Sequence, residues 1–376
     1  MKKNRLLIII GTRPEAIKMG LLINELSKKK NIFLKVCFTG QHDKMINEFA
    51  KLFNFKVNKN FKVMNKNDLA DFSAKLSVEI NKYIKKIKPN YIIVHGDTSS
   101  SAVASYISFL NKIPVMHVEA GLRTYNIQAP FPEEFNRIKI DSIAKYLFAP
   151  TKLAKKNLKL NNIKNKHIFV TGNTIVDSLK QIKKHLSKDK KIHNLKLKTK
   201  YNLSLYKNDN ILITIHRREN YGNNLIKILK AIKLLSFRYS NLNFIFPVHL
   251  NPNINNIVNT ELKDYKNIFL TKPMDYLSLL YVMSKSKLIL TDSGGIQEEA
   301  PSFNKPVILL RNETERPEGM SKGFIYLTGA NTKKIIYTFK KLFNNQKLSK
   351  KLSKSDNPYG DGKAVKRIVK IIENIQ

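Results

Sequence analysis

The chain has 376 residues, 42% of them hydrophobic, and a single cysteine, Cys37. That length and apolar content suit two cores, and one thiol excludes an internal disulfide framework, which fits a cytoplasmic protein. Its 68 basic against 28 acidic residues give a net charge of +40. Lysine is spread over nearly every polar segment, however, and the densest stretch, 180–200, lacks aromatics for stacking on bases, so no nucleic-acid partner is expected.

Leu6–Ile10 follows a basic start and imitates a secretory leader. The apolar run is short and leads into Gly11-Thr12-Arg13-Pro14-Glu15 rather than a small-residue cleavage site, so it reads as a buried strand. Leu34–Phe38, Tyr91–Val94, Val115–Val118, Tyr146–Ala149 and Ile168–Val170 are further strands, with helices over Ala70–Lys86 and Thr98–Leu110. After Val176 a lysine-rich stretch reads as a helix and a loop. The alternation then restarts with strands at Ile211–Ile215, Phe244–Pro247, Ile268–Leu270, Leu288–Thr291 and Val307–Leu310. Helices lie over Leu225–Tyr239, Leu277–Ser284 and Thr332–Phe343, and a last one over Lys363–Ile375. No apolar run reaches the roughly 18 residues of a membrane span, and no membrane partner is expected.

Strands alternating with helices mean βαβ units and parallel sheets. The expected class is α/β, with two Rossmann-like domains facing a cleft. The first takes residues 1–175 with a C-terminal helix from 360–376, and the second takes 176–359. Ligands in such sheets bind beyond the carboxyl ends of the strands, so the residues just after each strand are the ones to inspect.

After the first strand, Gly11 allows a tight turn, Pro14 suits a first helical turn, and Arg13 and Lys18 add positive charge where a helix N-terminus favours an anion. This is either a phosphate seat or an ordinary turn with exposed bases. Asp97, after Tyr91–Val94, is either a helix cap or a functional acid. Glu119 leaves the next strand and is followed by Ala120-Gly121, where it caps nothing obvious. Glu133 and Glu134 open a helix after Pro130-Phe131-Pro132, where the dipole stabilises carboxylates and Arg137 is in reach of an ion pair. His95-x-Asp97 and His117-x-Glu119 lack the further ligands a metal site needs, so no metal is expected. In the second half, strands end at His216-Arg217-Arg218, at Val248-His249, and at Asp292-Ser293-Gly294-Gly295. The last is a small-residue turn whose N–H groups and Ser293 hydroxyl can hold a phosphate, with Arg316 in reach of the same anion. Glu298 and Glu299 follow, where one can accept from ribose hydroxyls. Acids on one domain and anion-binding groups on the other suit a sugar linked to a diphosphate.

GTRPEAIKM from Gly11, GQH from Gly40, HGDT from His95, HVEAGLRT from His117 and PFPEEFNR from Pro130 occur in that order. GNTIVD from Gly172, HRREN from His216, DSGGIQEEAP from Asp292, ETERPEG from Glu313 and NPYGDGKA from Asn357 follow. Together they resemble the non-hydrolysing UDP-N-acetylglucosamine 2-epimerase family over essentially the whole chain.

The resemblance implies a glycosyltransferase-B-like fold, a homodimer, and C2 epimerisation of UDP-GlcNAc to UDP-ManNAc through a 2-acetamidoglucal, with no cofactor. It implies Asp97, Glu119, Glu133 and His216 as catalytic, and Arg13, Lys18, Ser293, Gly294, Gly295, Glu299 and Arg316 as substrate-binding. It also implies an allosteric UDP-GlcNAc near Gln41 and His249. Met274 and Leu279 stand where relatives often place a polar residue and an aromatic near the uracil. A 2-epimerase of a related UDP-sugar, or a glycosyltransferase-B-type UDP-sugar transferase, is the alternative.

Overall fold

The computed structural model describes residues 4–40, 43–63, 68–163, 167–205 and 209–375; Gln41 lies outside them. In chain order the elements are β1 (Asn4–Ile10), α1 (Arg13–Ser27), β2 (Ile32–Phe38), α2 (Asp43–Leu52), β3 (Lys59–Asn60), α3 (Leu69–Ile87), β4 (Tyr91–His95), α4 (Ser99–Leu110), β5 (Val115–Val118), α5 (Glu133–Ile143), β6 (Tyr146–Ala149), α6 (Lys152–Leu160) and β7 (Ile168–Val170). Next come α7 (Thr174–Lys188), α8 (Lys190–Tyr201), β8 (Asn210–Thr214), α9 (Asn223–Arg238), β9 (Asn243–Pro247), α10 (Pro252–Leu262), β10 (Ile268–Thr271), α11 (Tyr276–Lys285) and β11 (Ser286–Thr291). The chain ends with α12 (Gly294–Glu299), β12 (Val307–Leu309), α13 (Glu318–Ser321), β13 (Ile325–Leu327), α14 (Thr332–Phe343), α15 (Gln346–Lys354) and α16 (Ala364–Glu373). They form two compact units, Met1–Ser178 with Tyr359–Gln376, and Leu179–Pro358.

The first unit holds a parallel sheet in the order β3-β2-β1-β4-β5-β6-β7. Helices cover both faces of such a sheet, so its strands are continuous apolar runs: Leu6 to Ile10 are all buried. The chain winds outward from β1 through β2 to β3, then crosses to β4 and winds the other way. The switch point therefore lies between β1 and β4, where the loops diverge and leave a crevice. Gly11–Arg13 and Gly96–Asp97 follow these two strands. The C-terminal helix α16 packs on α1, and Asp177 accepts from the Ala364 and Val365 N–H groups at its start (3.2 and 3.1 Å).

The second unit repeats the plan with six parallel strands, β10-β9-β8-β11-β12-β13. Its switch point lies between β8 and β11, so His216 and Asp292 follow the two strands that flank it. Its core includes Ile211, Ile213, Phe244, Phe246, Leu288, Leu290 and Phe339. Among the described residues, no helix is long and apolar enough to cross a membrane.

Candidate active site

The turn after β1 is organised by Glu15, which is almost wholly buried. Its Oε2 accepts from the Gly11 N–H (2.9 Å), the Thr12 N–H (2.6 Å) and the Thr12 hydroxyl (2.8 Å); its Oε1 accepts from the hydroxyls of Thr98 (2.9 Å) and Ser101 (2.8 Å). One carboxylate thus ties the β1–α1 turn to the start of α4. Burial pushes its carboxyl up from the ordinary glutamate value, against the pull of these hydrogen bonds. Gly11 is required by contact: a Cβ there would sit 2.2 Å from Ser100 Oγ. Arg13 is half-buried at the first position of α1.

Glu119 leaves β5 with φ +69°, a left-handed conformation costly for a residue with a Cβ, and both Glu119 N–H and Ala120 N–H donate to the Phe148 carbonyl (3.1 and 3.2 Å). Its Oε2 accepts from Lys18 Nζ (2.5 Å) and Asn173 Nδ2 (3.1 Å), with His95 Nε2 at 3.6 Å. Lys18, expected at the diphosphate, has its ammonium on this carboxylate, and both side chains are buried.

Asp97 had two open readings, and the helix-cap role belongs to its neighbour: Thr98 Oγ1 accepts from the Ser101 N–H (3.1 Å). The Asp97 carboxylate instead meets Arg137 (Nε 2.8 Å, Nη2 2.7 Å), and its carbonyl accepts from Asn136 Nδ2 (2.8 Å). Arg137 also pairs with Glu134, three residues earlier on its own helix (2.8 Å). Asp97 and Glu133, together with Thr12, Thr98, Ser99 and Ser100, line one cavity of about 190 Å³.

His117 fastens the floor. Its Nδ1 meets Asp141 Oδ1 (2.7 Å), and its Nε2 donates to the Gly96 carbonyl (2.8 Å), which can only accept. Asp141 in turn binds Arg123 Nη2 (2.7 Å) and accepts from the Gly121 N–H (3.2 Å). This network fixes the β4 and β5 exits together. Among the described residues no three His, Cys, Asp or Glu side chains cluster as metal ligands.

In the second unit the organising carboxylate is Asp292. It accepts from the His216 N–H (3.0 Å), the Arg217 N–H (2.9 Å) and Asn220 Nδ2 (3.0 Å), and pairs with His216 Nδ1 (3.1 Å). Burial raises its carboxyl, but the bond and charge of His216 and the other donors outweigh that and hold it below the ordinary aspartate value. Ser293 caps α12, and its N–H donates to Thr291 Oγ1 (3.0 Å). A Cβ on Gly294 would lie 3.2 Å from Arg316 Nη1 and 3.4 Å from Arg217 Nη2, so two guanidinium groups flank this turn. A Cβ on Gly295 would lie 3.8 Å from Ser293 Oγ and 4.0 Å from Glu299 Oε1.

Arg316 is held by Glu298 (2.5 Å) and by Glu315. Arg217 has no ion-pair partner among the described residues, and sequence reading passed it over because it stands in a run of bases. Glu299 Oε1 accepts from the buried Tyr276 hydroxyl (2.9 Å). The His249 ring lies 6.2 Å from that of His216, and its pKa is lowered by burial and then by the His216 charge.

The chain matches known proteins over nearly its whole length. The model of the family described as UDP-N-acetylglucosamine 2-epimerase matches residues 24–373. The chain is 41% identical over 374 residues to the UDP-N-acetylglucosamine 2-epimerase of Campylobacter jejuni, covering 98% of this chain and 97% of that one. It is 37% identical over 371 residues to the Escherichia coli K12 enzyme of the same name, covering 98% of each. The crystal structure of UDP-GlcNAc 2-epimerase from Neisseria meningitidis bound to UDP-GlcNAc superposes with a TM-score of 0.93 at 39% identity, covering 99% of this chain and 100% of that one. On the family match, these identities and a shared glycosyltransferase-B-like α/β fold, the chain belongs to the UDP-N-acetylglucosamine 2-epimerase family.

Proposed function

We propose that this protein interconverts UDP-GlcNAc and UDP-ManNAc without hydrolysis. The observation that carries the reading is the gathering of Asp97, Glu119 and Glu133 at the exits of β4 and β5 and the start of α5, in a chain of this family. The C2 proton of the sugar is not acidic by itself. As the C1–O bond breaks and its electron pair leaves on the β-phosphate of UDP, cationic character at C1 acidifies C2. A carboxylate takes the C2 proton and a C1=C2 double bond forms, giving 2-acetamidoglucal. UDP then adds back at C1 while a carboxylic acid protonates the opposite face of C2. The carboxylates exchange protons and stabilise the cation. His216 and the basic groups of the second unit, Arg316 and the Ser293-Gly294-Gly295 turn, receive the diphosphate. Glu299 takes ribose hydroxyls.

Several finer points belong to the same reading. The first unit carries the acids and the second the UDP contacts. The enzyme works in the cytoplasm, where the single buried Cys37 stays reduced, and supplies a precursor of cell-surface polysaccharide. It is a homodimer: Tyr106, Phe109 and Leu110 on α4 and Phe135 and Ile138 on α5 leave an exposed apolar face for a second copy. Phe109→Glu should yield a monomer by light scattering. A second UDP-GlcNAc near His249 activates the enzyme; hyperbolic substrate kinetics would remove that element.

Incubation of the purified protein with UDP-GlcNAc alone tests the main reading. UDP-ManNAc should accumulate to a constant ratio with the sugar still attached to UDP. Free ManNAc, or transfer only when an acceptor is added, would contradict it.

A further inference from the structure

We infer that Asn173 positions Glu119, and that the returning C-terminal segment holds Asn173 in place. The inference rests on the catalytic role proposed for Glu119. Asn173 is buried, and its Nδ2 donates to Glu119 Oε2 at 3.1 Å. Its Oδ1 accepts from the Ile175 N–H at 3.1 Å, so the amide is oriented with its donor toward the carboxylate. Its own N–H donates to the Tyr359 carbonyl at 2.8 Å. That bond needs a close approach of two glycines: a Cβ on Gly360 would lie 3.3 Å from Gly172 Cα and 3.4 Å from Asn173 N. Gly172 and Gly360 have φ of +93° and +142°, which disfavour any other residue. The GNTIVD and NPYGDGKA stretches thus meet at a residue whose far end holds Glu119. Lys18 gives Oε2 charge from a point-like ammonium; Asn173 fixes a direction.

The bland alternative is a loop fastener whose loss lowers stability alone. Asn173→Ala and Asn173→Asp separate the two. Both should lower kcat for C2 deuterium exchange by about 10- to 100-fold with KM for UDP-GlcNAc within about threefold, as expected for a misaligned reacting group. Asn173→Asp should also move the acid limb of the rate profile to higher pH, because two carboxylates sharing a site resist joint ionisation. A fastener would instead lower stability and leave kcat of the folded variants unchanged. Should either variant fail to fold, Gly360→Ala disturbs the same contact from outside and should lower kcat about threefold at unchanged KM. Wild-type kcat and pH profile in folded variants overturns the inference. Absence of C2 exchange in the wild-type protein would instead sink the epimerase reading, and this inference with it.

Discussion

Glu15 in the first unit and Asp292 in the second are both buried carboxylates that gather backbone N–H groups at the switch point of a parallel sheet. Their surroundings tune them in opposite directions. Glu15 is met by hydroxyls and amides, which do not offset its burial, and its carboxyl is raised. Asp292 has His216 beside it, and its carboxyl is lowered. The presence of a titratable cation decides the sign, not depth. A raised carboxyl stabilises the fold most below the ordinary glutamate value of about 4.3 and loses that contribution as pH rises through its folded pKa. A lowered one contributes fully above the ordinary aspartate value of about 3.9 and loses it as pH falls through its folded pKa. The cations divide as well. Lys18 and Arg316 are each paired with buried acids, whereas Arg217, beside Gly294, has no ion-pair partner among the described residues.

The largest effect expected from this division is on chemistry. Glu119→Gln should slow C2 exchange by about a thousandfold or more and leave UDP affinity, read by calorimetry, within about threefold; equal losses in both would erase the distinction between the units. Next come the two organising carboxylates, compared by urea denaturation from pH 7 to pH 3. Glu15→Ala should cost about 3 kcal/mol, since it strands the Gly11 and Thr12 N–H groups, and its deficit should widen as pH falls. Asp292→Asn should cost about 2 kcal/mol at pH 7, with a deficit that narrows in acid. The same trend in both would contradict the opposed tuning. Gly294→Ala, whose methyl would press on Arg217 and Arg316, should raise KM about tenfold at constant kcat, a loss of about 1.4 kcal/mol. The smallest effect belongs to the half-exposed pair of Arg367 and Asp361, 2.7 Å apart, which draws the Asp361 carboxyl down to about 2. Arg367→Ala should cost less than about 1 kcal/mol after solvent screening.

The strands buried on both faces were legible because nothing but an apolar run can occupy them: β5 and β6 fall where their runs begin and end. β3, two polar residues at the sheet edge, carries no such pattern and exists because β2 offers it a partner, whereas β13 lies in the apolar run Phe324–Leu327, short and unread in the sequence. The turn motifs were likewise visible, and Glu15, three residues after Thr12, carries the spacing of a capping box. Asp97 was ambiguous because Asp and the adjacent Thr98 are both good caps; the Thr98 cap bond and the contact of Asp97 with Arg137 separate them. What lay beyond reading was who holds each acid. Asn173 reaches Glu119 across 54 residues, and Asp141 reaches His117 across 24, and local spacing records neither pairing.

Proton NMR of UDP-GlcNAc with the protein in D2O tests the central claim most directly. Loss of the C2 proton signal and growth of UDP-ManNAc carrying deuterium at C2, with UDP still attached, are the expected result. Conversion that retains the C2 proton, or an unchanged spectrum from protein shown to bind UDP, would contradict it.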